Sequence, residues 1–230
     1  MSTNKIPSAS ILWQRHEELI LEVFVRALKM LCLEKNLPDA ENRINETLYL
    51  KARLAYFKLP SKQRPPFWGL FLESQNQPQT EDDVGEGFLL KKPDFKWRLE
   101  NKLDTNPHTA IRDYDIECKR LGKPLRRDRV LNEDYVKNGI LRFLNVKHSY
   151  GKGMTFGAMI GYVQSMEFKD ILKEVNQCIT QIQTHKIPLI KFSAKKNSSN
   201  EIIETAQKLY RTEISPPSFN LRHIWVDLRK

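Results

Sequence analysis

Residues 112–121 read Arg-Asp-Tyr-Asp-Ile-Glu-Cys-Lys-Arg-Leu. On a strand, successive side chains point to opposite faces. Asp115, Glu117 and Lys119 then share one face, while Tyr114, Ile116 and Cys118 form an apolar face behind them. Two carboxylates and an ammonium on a strand face are costly to desolvate unless they pair or hold a metal. A further acid stands upstream, in Lys92-Pro93-Asp94-Phe95-Lys96-Trp97. Proline is tolerated at the entrance of a strand, where its missing N–H costs little. A turn over residues 101–108 would let that strand pair with the one carrying Glu117. Asp94 and Glu117 brought together suit a hard cation such as Mg²⁺, and Lys119 would point at the same spot. Asp115 is an alternative ligand, or else a partner for Arg112 or Arg120. Asp113 reads as a turn acid on the other face, at the strand edge.

The surroundings are basic. Lys123, Arg126, Arg127 and Arg129 follow the charged strand directly and are placed to contact a phosphate backbone. Lys147, His148, Tyr150 and Lys152 lie in a second basic and aromatic loop, residues 146–153. It reads as a nucleic-acid contact (Lys147, Lys152) or as a plain connection; its glycines are wrongly ordered for a Walker loop. The formal net charge of +10 suits a polyanionic partner. His223 and Asp227 share a strand face, but no serine or cysteine nucleophile lies at a recognisable spacing, so a structural histidine is expected. Ser193, Ser198 and Ser199 belong to a polar loop, and Trp68 and Trp97 read as core or rim aromatics. The three cysteines, Cys32, Cys118 and Cys178, show no paired spacing. That argues against a zinc site or a disulfide framework and fits a reducing cytoplasm. No apolar run reaches the roughly 18 residues needed to span a bilayer, and residues 1–10 lack the apolar centre of a secretory signal.

The elements that must position these residues follow from hydrophobic periodicity. A long helix is expected over 11–34 and a second over 40–57. Extended runs are expected over 67–73, 87–99 and 112–121, then a helix over 133–144, a strand over 154–164 and a helix over 168–184. The chain closes with a short helix over 201–209 and a strand over 222–228. This order predicts an α/β or α+β domain around a mixed sheet flanked by helices. The first helix reads as an added arm or dimer element, dividing the chain into a helical extension, 1–38, and a main domain, 39–230.

Pro93-Asp94, followed by Glu117-x-Lys119 on the next extended run, resembles the PD-(D/E)xK nuclease superfamily, whose members include many restriction and phage-defence nucleases. The family core is a helix, a three-stranded meander, a helix and a further strand, an order followed from about residue 40 to 164. Tyr135, Asn138, Gly139, Arg142 and Phe143, then Gly157-Ala158-Met159-Ile160-Gly161-Tyr162-Val163, look like the helix and strand that follow the family's motif strand. Small residues at 157, 158 and 161 would allow close packing there. The resemblance implies a restriction-endonuclease-like core and Asp94, Glu117 and Lys119 as catalytic residues. It implies Mg²⁺ or Mn²⁺ held by Asp94, Glu117 and the backbone carbonyl of Cys118, with a glutamate of the first core helix as a further ligand. Glu46 is the first candidate for that place and Glu41 the second. The activity implied is hydrolysis of DNA phosphodiester bonds, as a subunit of a restriction or anti-phage complex or as a homodimer. The alternative is a non-catalytic nucleic-acid-binding or assembly subunit on the same fold.

Overall fold

The computed structural model describes residues 9–64, 69–102, 104–127, 129–192 and 201–229, with side chains from residue 13 onward. Two helices, α1 (Ala9–Cys32) and α2 (Glu41–Lys58), lead into a mixed six-stranded sheet. Its strands are β1 (Leu70–Leu72), β2 (Phe95–Glu100), β3 (Ile111–Leu121), β4 (Phe156–Val163), β5 (Ile202–Tyr210) and β6 (Ser218–Asp227). A four-residue helix, α3 (Pro107–Ala110), turns β2 into β3, with the Asn106 side chain accepting from the His108 N–H at its start. Helix α4 (Leu131–Lys137) and a 3-10 turn (Ile140–Phe143) connect β3 to β4, and α5 (Phe168–Gln181) follows β4.

The sheet order is β1-β2-β3-β4-β6-β5. Strands β1, β2 and β3 form an antiparallel meander, β4 lies parallel to β3, and β6 parallel to β4. A crossover helix is what a parallel neighbour demands, and α4 supplies it between β3 and β4. The fold is therefore α+β with helices on both faces of a mixed sheet.

Strand alternation splits the core in two. On one face Tyr114, Ile116 and Cys118 of β3, with Phe156, Ala158, Ile160 and Tyr162 of β4, pack against α1 and α2. On the other, Met159 and Val163 of β4, with Phe219, Leu221 and Trp225 of β6, pack against α4, the 3-10 turn and α5. Asp115, Glu117 and Lys119 point to this second face, as their register with β4 requires.

Several expectations change. The first helix does not stand apart as an arm. Ile20, Val23, Phe24, Ala27 and Leu28 are fully buried in the larger core, and the Phe24 ring meets that of Phe95. A face this apolar is stabilised by burial at roughly 25 cal/mol per Å², which a solvated arm would forgo. In place of the helix expected over 201–209 the chain forms β5 over Ile202–Tyr210, running antiparallel along β6 from Ile202↔Val226 to Tyr210↔Ser218. Here the tertiary ladder overrides a weak helical pattern, since β-branched and alternating residues fit a half-buried edge. The helix expected over 133–144 breaks at Gly139. A Cβ there would lie 2.3 Å from the Tyr135 carbonyl oxygen and 2.4 Å from Met159 Cε, and the chain re-enters as the 3-10 turn. The run from 87 begins as a 3-10 turn over Gly87–Leu90, and only Phe95–Glu100 pairs as a strand. Trp68 and Ser193, Ser198 and Ser199 lie outside the described residues.

Candidate active site

The pairing of β2 with β3 ends at Phe95↔Ile116. One residue earlier, Asp94 sits at the mouth of β2, where the backbone N–H of Cys118 has no strand partner on that side. The Asp94 carboxylate takes its place: Oδ2 accepts from the Cys118 N–H at 2.6 Å. Its other oxygen accepts from the Asn45 amide of α2 at 3.0 Å, and Asn45 in turn accepts from the Tyr162 hydroxyl at 2.8 Å. Buried polar groups demand such partners, and together they fix Asp94 at the edge of the Glu117 position.

Lys119 reaches back along its own strand. Its ammonium donates to Glu117 Oε1 at 2.7 Å, to the Cys118 carbonyl at 2.7 Å and to Glu41 Oε1 at 3.1 Å, and lies 3.8 Å from Asp94 Oδ2. Glu41 is anchored by its second oxygen, which accepts from the Arg120 N–H at 3.1 Å. From the opposite layer Arg142, on the 3-10 turn, donates to Glu117 Oε1 at 2.6 Å, with its guanidinium 5.9 Å from the Tyr150 ring centre. Gly157 lets this turn approach: a Cβ there would lie 2.9 Å from the Phe143 ring. The structure thus brings Asp94, Glu117, Lys119, the Cys118 carbonyl and Glu41 to one point.

Electrostatics mark Glu117 as the unusual member. Its carboxylate is fully buried, and Oε2 has no hydrogen-bond partner among the described residues. Burial, reinforced by the nearby Asp94 charge, pushes its pKa up to about 8 against the pull of Lys119 and Arg142. Asp94 is likewise pushed up to about 6, chiefly by burial, with Glu41 adding to the effect and Lys119 opposing it. Burial works against the Lys119 charge, but Glu117, Asp94 and Glu41 outweigh it and hold the lysine protonated. With every group ionised, three acids (Asp94, Glu117, Glu41) face Lys119 and Arg142, and the Arg120 guanidinium also lies within electrostatic reach of Glu41.

Oxygen-only donors with one orphaned carboxylate oxygen have the chemistry of a hard-cation site. In the arrangement described, the ammonium occupies their centre. Among the described residues no three His, Cys, Asp or Glu side chains are grouped as they would be around a metal ion.

Compared with models of known protein families, with curated proteins and with solved structures, the chain matches none.

Other sequence candidates fall elsewhere. Glu46 pairs with Arg43 at 2.9 Å on the exposed side of α2, away from the cluster. Glu41 holds the inner position because it is in step with the buried positions 44, 45, 48, 52 and 55, and helical periodicity was the signal that could have ranked it first. Asp115 is not shared with Asp94. Its Oδ1 accepts from Lys96 at 2.9 Å and its Oδ2 from the Gly151 N–H at 2.7 Å. Nor is Asp113 a turn acid: it lies in β3 on the same face, paired with Arg98 at 2.9 Å and 3.5 Å from the Lys96 ammonium. Arg142 and Asn45 were not singled out as partners of the two acids, and nothing local in the sequence marks them.

Of the basic residues, Lys123, Arg126, Arg127, Arg129 and Lys147 are exposed. Just beyond β3 the Leu125 backbone N–H donates to the Arg129 carbonyl and the Arg129 N–H to the Arg126 carbonyl. Lys152 is committed internally instead, to Asp83 and over the Phe88 ring. His223 is structural, as expected: it is fully buried between Tyr135 and Gln207, and burial lowers its pKa to about 3. Asp227 pairs with Arg229. All three cysteines are free.

Proposed function

We propose that this chain is a metal-dependent DNA endonuclease on a PD-(D/E)xK core, working in the cytoplasm as the effector of a prokaryotic restriction or anti-phage system. One observation carries the reading. Carboxylates from α2, the mouth of β2 and the middle of β3 converge with Lys119, and the most buried of them, Glu117, keeps an oxygen without a partner among the described residues. The element order also supports it. Helix α2, the antiparallel meander β1 to β3, α4 and the parallel strand β4 follow the order of the resembled core.

In this reading Asp94, Glu117 and the Cys118 carbonyl hold Mg²⁺ or Mn²⁺, and Glu41, not Glu46, joins them. When bound, the ion supplies Lewis-acid polarisation of a phosphoryl oxygen and lowers the pKa of a coordinated water. Lys119 stabilises negative charge growing on the phosphate. Arg142, half-buried at the same point, offers a planar fork suited to a second phosphate oxygen. The exposed Lys123, Arg126, Arg127 and Arg129 contact the flanking backbone, a sequence-independent attraction that weakens with salt. No helix among the described residues is long and apolar enough to cross a membrane. In this reading target selection falls to partner subunits or to a second copy.

The test is cleavage of plasmid DNA in Mg²⁺ or Mn²⁺, with EDTA as control and Glu117→Gln as the inactive variant. A second reading, a nucleic-acid-binding or assembly subunit without catalysis, draws on the ion pairing that already satisfies most of the cluster. DNA binding that persists in EDTA, without cutting in any divalent cation, would favour it.

A further inference from the structure

The position of the Lys119 ammonium has a consequence for how the site is loaded. An ammonium has three N–H donors, and all three are spent: on Glu117 Oε1, the Cys118 carbonyl and Glu41 Oε1. These are oxygens that the proposed function assigns to the metal, with Asp94 Oδ2 close by at 3.8 Å. Lys119 is also only 8% exposed, so in this arrangement its charge cannot reach a phosphate.

We propose that Lys119 is an internal cation plug: in the metal-free protein its ammonium occupies the divalent-cation position, and loading requires it to leave. This rests on the reading of Asp94, Glu117, Glu41 and the Cys118 carbonyl as metal donors. The side chain is suited to the task. Four methylenes let the ammonium swing while the backbone of β3 stays paired to β4 at Lys119↔Gly161. Arg142 already supplies Glu117 with a second cation, so the acid is not left without a partner when the lysine moves. The orphaned Glu117 Oε2 provides the contact that the ammonium does not use and a divalent ion would. Departure from the donors is also what frees Lys119 for the phosphate. Metal loading and arming of the lysine are then one event, and a site without its ion holds its catalytic amine out of reach.

Two measurements on the full chain test this. The first is Mn²⁺ binding by calorimetry to the wild type and to Lys119→Met, which keeps the stem and removes the charge. The variant should bind about tenfold more tightly or better, because no competing cation remains. The second is peptide-mapped reductive methylation of Lys119 in the wild type, with and without Mn²⁺; it stands even where the variant does not fold. The amine should be protected in the free protein and become reactive when Mn²⁺ is added. Simple charge repulsion would tighten binding without exposing the amine, so an amine that stays protected at saturating Mn²⁺ overturns the plug. Equal Mn²⁺ affinity in wild type and variant also overturns it, while leaving the metal site standing. If neither protein binds Mn²⁺, the metal reading itself fails and the plug falls with it.

Discussion

Strand β3 carries two charged clusters on one face, a few residues apart, and they are built to different rules. Around Asp113 and Asp115 every carboxylate oxygen has a donor. Asp115 takes Lys96 and the Gly151 N–H, and Asp113 takes Arg98 through both oxygens. Lys96, almost fully buried, also donates to Asn76 at 3.0 Å. Two acids meet two cations and the account closes. Around Glu117 it does not: Oε1 receives both Lys119 and Arg142, and among the described residues Oε2 receives nothing. Buried ion networks are tolerated when every member is satisfied. On the proposed reading, a network that stops one partner short, beside one that does not, is what separates a ligand site from a structural tie.

That difference can be broken by mutation. Glu117→Gln should lower metal-dependent cleavage by roughly 10³-fold or more, with the far-UV spectrum unchanged and DNA still bound in a filter or gel-shift assay. Equal loss of fold and activity would move Glu117 into the structural class. Asp115→Ala should act the other way. It takes the nearer of two acids from a buried lysine, leaving Asp113 at 3.5 Å, and should cost up to about 3 kcal/mol, to be read from denaturant melts, with cleavage unchanged. Next in size is Glu41→Gln against Glu46→Gln. The first should weaken Mn²⁺ binding about 10–100-fold, as loss of a metal-site partner does; the second should change nothing, because Glu46 faces solvent with Arg43.

The pH dependence sharpens the contrast. Burial raises Glu117 from its ordinary 4.5 to about 8. The native state then binds this proton more tightly than the unfolded chain. Stability from this group is greatest below the unfolded value and is lost as pH rises through that window. The metal-free wild type should melt lower at about pH 8.5 than at about pH 6, and Glu117→Gln should flatten that slope. A slope unchanged in the variant would assign it to other groups. The smallest effects belong to the exposed cations. Replacing Lys123, Arg126, Arg127 or Arg129 by alanine should each reduce the salt dependence of DNA binding by about one ion, whereas Lys152→Ala should leave it alone and loosen Asp83 instead.

Much of this was legible in the residues. The alternation of β3 placed Glu117 and Lys119 on one face and Tyr114, Ile116 and Cys118 on the other, as the two core clusters bear out. The long helices and the strand β4 follow their hydrophobic periods. Side-chain direction along one strand or helix is a property of local backbone sterics, and a sequence states it directly. Distant partners are another matter. Asp94 reaches the Cys118 N–H because β2 stops pairing one residue later, Arg142 reaches Glu117 because Gly157 admits a 3-10 turn, and β5 is a strand because β6 offers it an edge. Each of these depends on register and on how closely two layers approach. Those are set by the packing of the whole chain, so only the tertiary structure could choose Glu41 over Glu46 and seat the first helix in the core.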